Sequence, residues 1–380
     1  MLRATQALAH LDLVRPTLLL DAARVRRNID RMARKAGAAG VRFRPHFKTH
    51  QSAAIGEWFR SVGVDAITVS SFDMGRYFQQ HGWSDITVAF PLNVREMDAV
   101  HQLAAQATLG VLVDSDAAVE VIESHLRAPV NVWIKIDVGA RRSGVAWTDP
   151  DAVLSLARRL LTTQHAHFVG LLTHAGHSYD AGDRAGVAAI HAESLLRMRE
   201  VRTRLADAGV AARISIGDTP GCSIADDFGG VDEMRPGNFV FYDLVQADLG
   251  ACDAADVAIA LACPVVGKHP DRNEIVLYGG AVHLSKDALH TGGRTLYGCL
   301  ARWEGSAWTR PEPRAPLVSL SQEHGVVRLD PEDMDGIGVG DLVTVIPVHS
   351  CLTSDLFDEY RVLDGSRIAR RQSNQTPLDP

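Results

Sequence analysis

Eight short β-branched runs, separated by amphipathic stretches, constrain this chain more than any other feature. The runs are Val41–Phe43, Ala66–Ser70, Ile86–Phe90, Leu109–Asp114, Val132–Asp137, Phe168–His174, Arg213–Gly217 and Val231–Arg235. Amphipathic stretches at Ala22–Ala36, Ser115–Leu126, Asp151–Leu161 and Gly182–Ala208 precede the first run or lie between runs. Val25, Ile29 and Met32 recur at helical spacing in the first stretch, as do Leu195, Met198 and Val201 in the last. Eight strands alternating with helices over about 220 residues predict an α/β fold, a (β/α)₈ barrel, which typically takes ~250 residues. A doubly wound open sheet is the rival. It requires a glycine-rich fingerprint after its first strand, and Arg44–His50 contains no glycine.

Beyond about residue 250 helical periodicity fades. Strand-like segments follow at Val257–Val266, Glu274–Leu277, Leu317–Ser319 and Leu342–Pro347, with Gly, Pro and Asp turns between them. Residues 22–250 are therefore read as the barrel, and residues 1–21 with 251–380 as a second, mostly β domain. The strand-like Pro16–Leu20 precedes the barrel and is expected to join the β domain. The polar tail after Arg370 is expected to be mobile.

The 380 residues carry a formal charge of −7 and no long basic run, which argues against a nucleic-acid partner. No apolar stretch reaches membrane-spanning length, and Arg3, His10 and Asp12 interrupt the start of the chain where a signal peptide needs an apolar run. The five cysteines are sparse and lack C-x-x-C spacing, as expected for a reducing, cytoplasmic setting.

Barrel enzymes carry their working residues at the carboxyl ends of the strands. In Arg44-Pro45-His46-Phe47-Lys48, Pro45 is expected to stop the first strand, which leaves Lys48 just beyond its end. A lone lysine is usually a solvated surface charge. Here Gly217-Asp218-Thr219-Pro220-Gly221 and Arg235-Pro236-Gly237-Asn238 follow the seventh and eighth strands, the usual phosphate site of such barrels. Small and hydroxyl residues let backbone N–H groups approach an anion, and Gly217, Thr219, Gly237 and Asn238 fit that role. Together with these loops, Lys48 becomes a candidate Schiff-base lysine for pyridoxal 5′-phosphate (PLP). His174, His177 and Tyr179 follow the sixth strand. In the β domain, Val343–Cys351 reads as a strand end, where His349 and Cys351 would point to one side and could share Zn²⁺. Two protein ligands leave coordination positions open, as catalysis requires.

In that order these motifs resemble the fold-type III PLP enzymes, and among them the D-serine dehydratase and D-threonine aldolase family, whose barrel is akin to that of alanine racemase. The resemblance runs through RPHFKTH (44–50), ITVSS (67–71), DVGARRSGV (137–145), THAGHSY (173–179), GDTPG (217–221), RPGNFVFYD (235–243), SQEHG (321–325) and PVHSC (347–351). It implies that Lys48 holds PLP and acts as the base at Cα. Tyr179 would contact the pyridine nitrogen, with His174 beside the cofactor, and Arg142 would lie near the phenolic oxygen. Thr219, Gly237, Asn238 and the backbone at Gly217 would hold the phosphate. It also implies a metal on His349 and Cys351, a homodimer, and a D-3-hydroxyamino acid substrate. H-x-C with zinc marks the dehydratase branch and H-x-D with Mn²⁺ or Mg²⁺ the aldolase branch; thiolate favours the softer ion. The expected reaction is thus β-elimination to a 2-oxo acid and ammonia. The alternative is retro-aldol cleavage to glycine and an aldehyde, with His46 as a candidate participant. PVHSC departs from the PNHAC form of the dehydratases. Gln322, Glu323 and His324 are expected near the site, in a role the sequence leaves open.

Overall fold

The computed structural model describes Leu8, residues 11–305 and residues 307–372. The chain end beyond residue 372, most of the tail expected to be mobile, lies outside the described residues. The chain divides into one unit of Asp30–Phe239 and another of Met1–Ile29 with Val240–Pro380, so the division falls inside the helix Ala22–Ala38.

In the first unit a parallel sheet of nine strands has eight in one row, and the ninth, Val145–Ala146, pairs off that row beside Val130–Asp137. The eight are β1 (Arg42–Phe43), β2 (Ile67–Val69), β3 (Asp85–Pro91), β4 (Thr108–Val113), β5 (Val130–Asp137), β6 (Ala166–Leu172), β7 (Arg213–Ile216) and β8 (Glu233–Met234). Their order is β1-β8-β7-β6-β5-β4-β3-β2, and a parallel bridge from His46 to Thr68 joins the two ends of that row. An open doubly wound sheet has no such closure. Short helices at Ala53–Arg60, Phe72–Gln80 and Met97–Ala104 complete the alternation of strand and helix. Ser71 and Ser115 cap their helices through side-chain oxygens that accept from Met74 N and Ala118 N.

Pro45 interrupts the first strand without ending its pairing. Before it, Arg44 N donates to Met234 O at 3.0 Å; after it, Phe47 N donates to Thr68 O at 2.8 Å. Proline has no N–H to offer, but the chain around it stays bonded on both sides: His46 N donates to Pro236 O at 2.9 Å just beyond β8, while Thr68 N of β2 donates to Pro45 O at 2.9 Å. The interior of the ring carries charge as well as apolar side chains. Arg44 reaches Glu233 at 2.6 Å and Asp85 at 2.6 Å, and Ser215 Oγ donates to Glu233 at 2.8 Å.

The second unit is a nine-stranded sheet. Its order is Glu274–Tyr278, His324–Arg328, Ala307–Leu320, Gly298–Glu304, Leu342–Pro347, Ile259–His269, Thr17–Leu20, Glu359–Val362 and Arg367–Ala369. Neighbours are antiparallel except Thr17–Leu20 against Glu359–Val362, and Glu274–Tyr278 also pairs with Ile259–His269. Alternate residues Leu261, Cys263 and Val265 join Ile275, Leu277, Val343 and Val345 in its apolar core.

Candidate functional site

Lys48 is held by its neighbours. Phe47 is fully buried, with ring centroids 4.9 Å from Phe59, 4.9 Å from Phe78 and 5.1 Å from Trp83. Thr49 and His50 are also fully buried, while Lys48, between Phe47 and Thr49, is exposed. Burying a phenylalanine contributes about 1.5–3 kcal/mol, so the residues that flank Lys48 fix its backbone and leave its amine outside. The Lys48 amide donates to His46 Nδ1 at 3.3 Å. Burial drives the His46 imidazole well below its ordinary pKa, and the charges of Lys48, Arg235 and His174 push the same way. His46 is therefore neutral, and with Nδ1 accepting, its proton sits on Nε2.

His174 follows β6 and donates from Nδ1 to Gly217 O. Burial holds its pKa down to about 3 against that hydrogen bond, with Lys48, Arg142 and Arg235 adding positive charge. The Tyr179 ring lies 6.2 Å from the His174 ring, and its hydroxyl accepts from Thr219 N at 3.4 Å. Asp218 caps the turn that carries Thr219, accepting from Gly221 N at 2.7 Å and Ser178 Oγ at 3.1 Å. Arg142 is exposed in the turn after β5, whose backbone is gathered by the Asp137 carboxylate on the amides of Gly139 and Arg141.

Lys48, His46, His174, Tyr179, Gly217, Thr219, Gly237 and Asn238 thus collect where β1, β6, β7 and β8 end. Two observations suit a phosphate here. Thr219 is 1% exposed, and its hydroxyl meets no hydrogen-bond partner among the described residues. The glycines have no room for a side chain: a Cβ at Gly217 would fall 2.9 Å from Arg235 Cβ, and one at Gly237 3.0 Å from His46 Cβ. The sequence reading missed Lys135 and Arg235, both buried. Burial brings Lys135 down to about 8, and its amine touches Ser143 Oγ. Arg235 donates to Ser215 Oγ at 2.7 Å and Thr173 O at 2.6 Å. A cation on an inward strand position, as in Trp133-Ile134-Lys135, was the available signal.

His349 and Cys351 lie in the β unit, and their local structure corrects the expectation. The strand ends at Pro347; His349 is the N-cap of a helix, Ser350–Asp355, and Cys351 lies in its first turn. The two side chains still meet, with the Cys351 thiol in hydrogen-bonding reach of the imidazole. Asp243 Oδ2 accepts from Ser350 N at 2.9 Å, fixing the backbone between them, and His349 Nδ1 lies 2.7 Å from Asp287 Oδ2. Burial alone would lower the His349 pKa, but Asp287, Cys351 and Asp243 outweigh it and raise it to about 11. An imidazole and a thiol side by side form a donor set suited to a borderline or soft divalent ion. The SQEHG side chains of Gln322, Glu323 and His324 are exposed, whereas its backbone accepts from Gly279 N at 3.0 Å and Val282 N at 3.2 Å.

The alanine racemase N-terminal domain matches residues 20–244, and a putative serine dehydratase domain matches residues 258–363. The chain belongs to the family that joins these two domains. Among relatives of this alanine racemase-like family, D-threo-3-hydroxyaspartate dehydratase of Delftia sp. strain HT23 is 31% identical over 94% of this chain and 96% of its own length. D-serine dehydratase of Dictyostelium discoideum is 28% identical over 92% of each chain. D-threonine aldolase of Arthrobacter sp. is 25% identical over 92% of this chain and 89% of its own. The solved Delftia enzyme superposes with a TM-score of 0.88 over 96% of this chain and 99% of that one, at 30% identity. A D-threo-3-hydroxyaspartate dehydratase solved as a cysteine-to-alanine mutant in a metal-free form superposes with the same TM-score, 0.88.

Proposed function

We propose that the chain is a PLP- and divalent-metal-dependent lyase that eliminates the β-hydroxyl of a D-3-hydroxyamino acid, giving a 2-oxo acid and ammonia. The observation that carries this reading is an exposed Lys48 amine, fixed by buried neighbours, at the strand ends that also bear the Gly217 and Gly237 loops. Full-length similarity to two dehydratases supports it.

Lys48 would hold the cofactor, and Thr219, Asn238 and the amides at Gly217 and Gly237 its phosphate. Tyr179 is assigned to the ring nitrogen, and Arg142 to the phenolic oxygen with His174 beside it. His349 and Cys351 would hold the metal, and a thiolate ligand favours Zn²⁺ over Mn²⁺ or Mg²⁺. When bound, PLP supplies an electron sink at Cα and the metal supplies Lewis-acid polarisation of the β-hydroxyl. Lys48 Nζ takes the Cα proton and returns it to the departing hydroxyl, which leaves as water. His46 and His174 are both neutral, so neither adds a positive charge that would repel the proton arriving on Lys48. The released enamine hydrolyses in solution.

Retro-aldol cleavage is the second reading, supported by the aldolase relative. It needs a base for the β-hydroxyl proton. His46 Nδ1 already accepts from the Lys48 amide, so His46 fits the role of donor better than that of base. We further propose a cytoplasmic homodimer. None of the five cysteines is in a disulfide, and no described helix is long and apolar enough to cross a membrane.

The test is the product formed from D-threonine with PLP and Zn²⁺. 2-Oxobutyrate with ammonia supports elimination; glycine with acetaldehyde replaces it by the aldolase reading; neither product refutes both.

A further inference from the structure

We infer that Asp287 is the positioning residue of the metal pair, taking the Nδ1 proton of His349 so that Nε2 faces the ion. The inference rests on His349 and Cys351 being the metal ligands.

Asp287 Oδ2 lies 2.7 Å from His349 Nδ1, across 62 positions of sequence. An imidazole whose Nδ1–H is taken by a carboxylate has one nitrogen left for a cation, and the carboxylate makes that nitrogen a stronger donor. Direct ligation by Asp287 fits less well. Among the described residues, Asp330, Glu332 and Asp333 form the one group of three whose ligand atoms all lie within 4.8 Å. His349, Cys351 and Asp287 therefore do not close into a three-ligand site. The acidic group at 330–333 is already spanned by Arg314, which leaves it no call for a metal.

The loop that delivers Asp287 is built for the purpose. Gly279 N donates to Glu323 O at 3.0 Å, and a Cβ at Gly280 would fall 2.4 Å from Gln322 O. A single helical turn, Ala281–Leu284, follows. Ser285 then takes φ 66°, a conformation that non-glycine residues avoid. Such a residue persists only where its surroundings impose it. Ser285 Oγ accepts from Asp287 N at 3.2 Å, and Leu284 O accepts from Thr353 Oγ1 at 3.2 Å. Thr353 belongs to the helix that carries Cys351, so one set of bonds ties the carboxylate to both metal ligands. The SQEHG segment thereby acquires a structural role, because its backbone supports the turn from which Asp287 is presented.

The experiment measures Zn²⁺ affinity of the full-length, PLP-loaded enzyme by competition with a chromophoric chelator. It compares wild type, Asp287→Ala, Asp287→Asn, His349→Ala and Cys351→Ala. Asp287→Ala should weaken Zn²⁺ by about 10–100-fold. Asp287→Asn, which keeps a neutral acceptor, should lose less. In the Co²⁺-substituted proteins the thiolate-to-cobalt band and the visible d–d bands should keep their positions in both Asp287 variants, while Cys351→Ala loses the thiolate band. Zn²⁺ affinity equal to wild type in Asp287→Ala overturns the inference while leaving the ligands in place. Altered d–d bands in the Asp287 variants also overturn it, by making Asp287 a ligand. Wild type that binds no Zn²⁺, or binds it equally after His349→Ala, overturns the metal assignment and the inference with it. Asp287 is exposed, and equal urea midpoints across the series check that each variant folds.

Discussion

Replacing Gly237 by alanine tests the phosphate cradle with the smallest possible addition. The new Cβ would meet His46 Cβ at 3.0 Å, His46 O at 3.0 Å and Thr49 Oγ1 at 3.2 Å. Two of these atoms are backbone or Cβ and cannot swing aside, and Thr49 is fully buried. Relief requires a shift of several tenths of an ångström in the segment 46–49 or in the loop. Overpacking of this kind costs about 1–3 kcal/mol. Because the segment that must move contains Lys48, the cost should appear in cofactor binding, as a loss of about 5–150-fold in PLP affinity. The assay is PLP titration of the apoenzyme by absorbance, with urea unfolding of the apoprotein alongside. Gly37→Ala is the control: a Cβ there meets nothing within 4 Å, and the position lies in the helix Ala22–Ala38. It should stabilise by roughly 0.5–1 kcal/mol and leave PLP binding unchanged. Gly237→Ala binding PLP as tightly as wild type would refute the argument that the cradle has no spare room.

Lys48→Ala should abolish turnover and the PLP absorbance that borohydride fixes to the protein; full activity in that variant would remove Lys48 from the mechanism. Glu233→Leu leaves Arg44, which is 5% exposed, with Asp85 alone, and should destabilise by roughly 2–4 kcal/mol, somewhat less than the loss of a buried pair's sole partner; an unchanged urea midpoint would contradict this. His174 contributes a pH dependence to the apoprotein. Its folded pKa of about 3 lies below the ordinary value of 6.5, so the stabilisation is full above pH 6.5 and is lost as pH falls toward 3. Between pH 7 and 5, urea midpoints should therefore fall more steeply for wild type than for His174→Gln, and parallel slopes would show that His174 is solvated. Thorough chelation should stop elimination while the PLP absorbance persists, and an undiminished rate would exclude the Lewis acid.

Much of the barrel was legible because its strands are β-branched runs bounded by turn residues, a local signal. The ends were less so. Val231–Arg235 reads as five strand residues, yet Glu233–Met234 alone ladders, because the chain then leaves for the Pro236-Gly237 loop. Helices such as Ala53–Arg60 span too few turns to declare a period. In the β unit, the β-branched run Val343–Ile346 concealed the helix at Ser350. The amide of Ser350 is taken by Asp243 from 107 positions away, a partner that no local pattern reveals. Asp287 was hidden for the same reason. Lys48, Gly217 and Gly237 were readable because loop order in a barrel converts sequence position into place.

The seam beside Pro45 has a consequence for how the ring holds together. Its last seam is a single bridge, carried by Phe47 N to Thr68 O at 2.8 Å, Thr68 N to Pro45 O at 2.9 Å and Thr68 Oγ1 to Arg44 O at 3.0 Å. Each such bond contributes about 0.5–1.5 kcal/mol net, so this clasp is slight beside the ladders of β3 to β6. Lys48 stands one residue beyond it. The segment that completes the cylinder is thus the one that carries the lysine, and the bridge and the buried Phe47 ring beside it hold both in place.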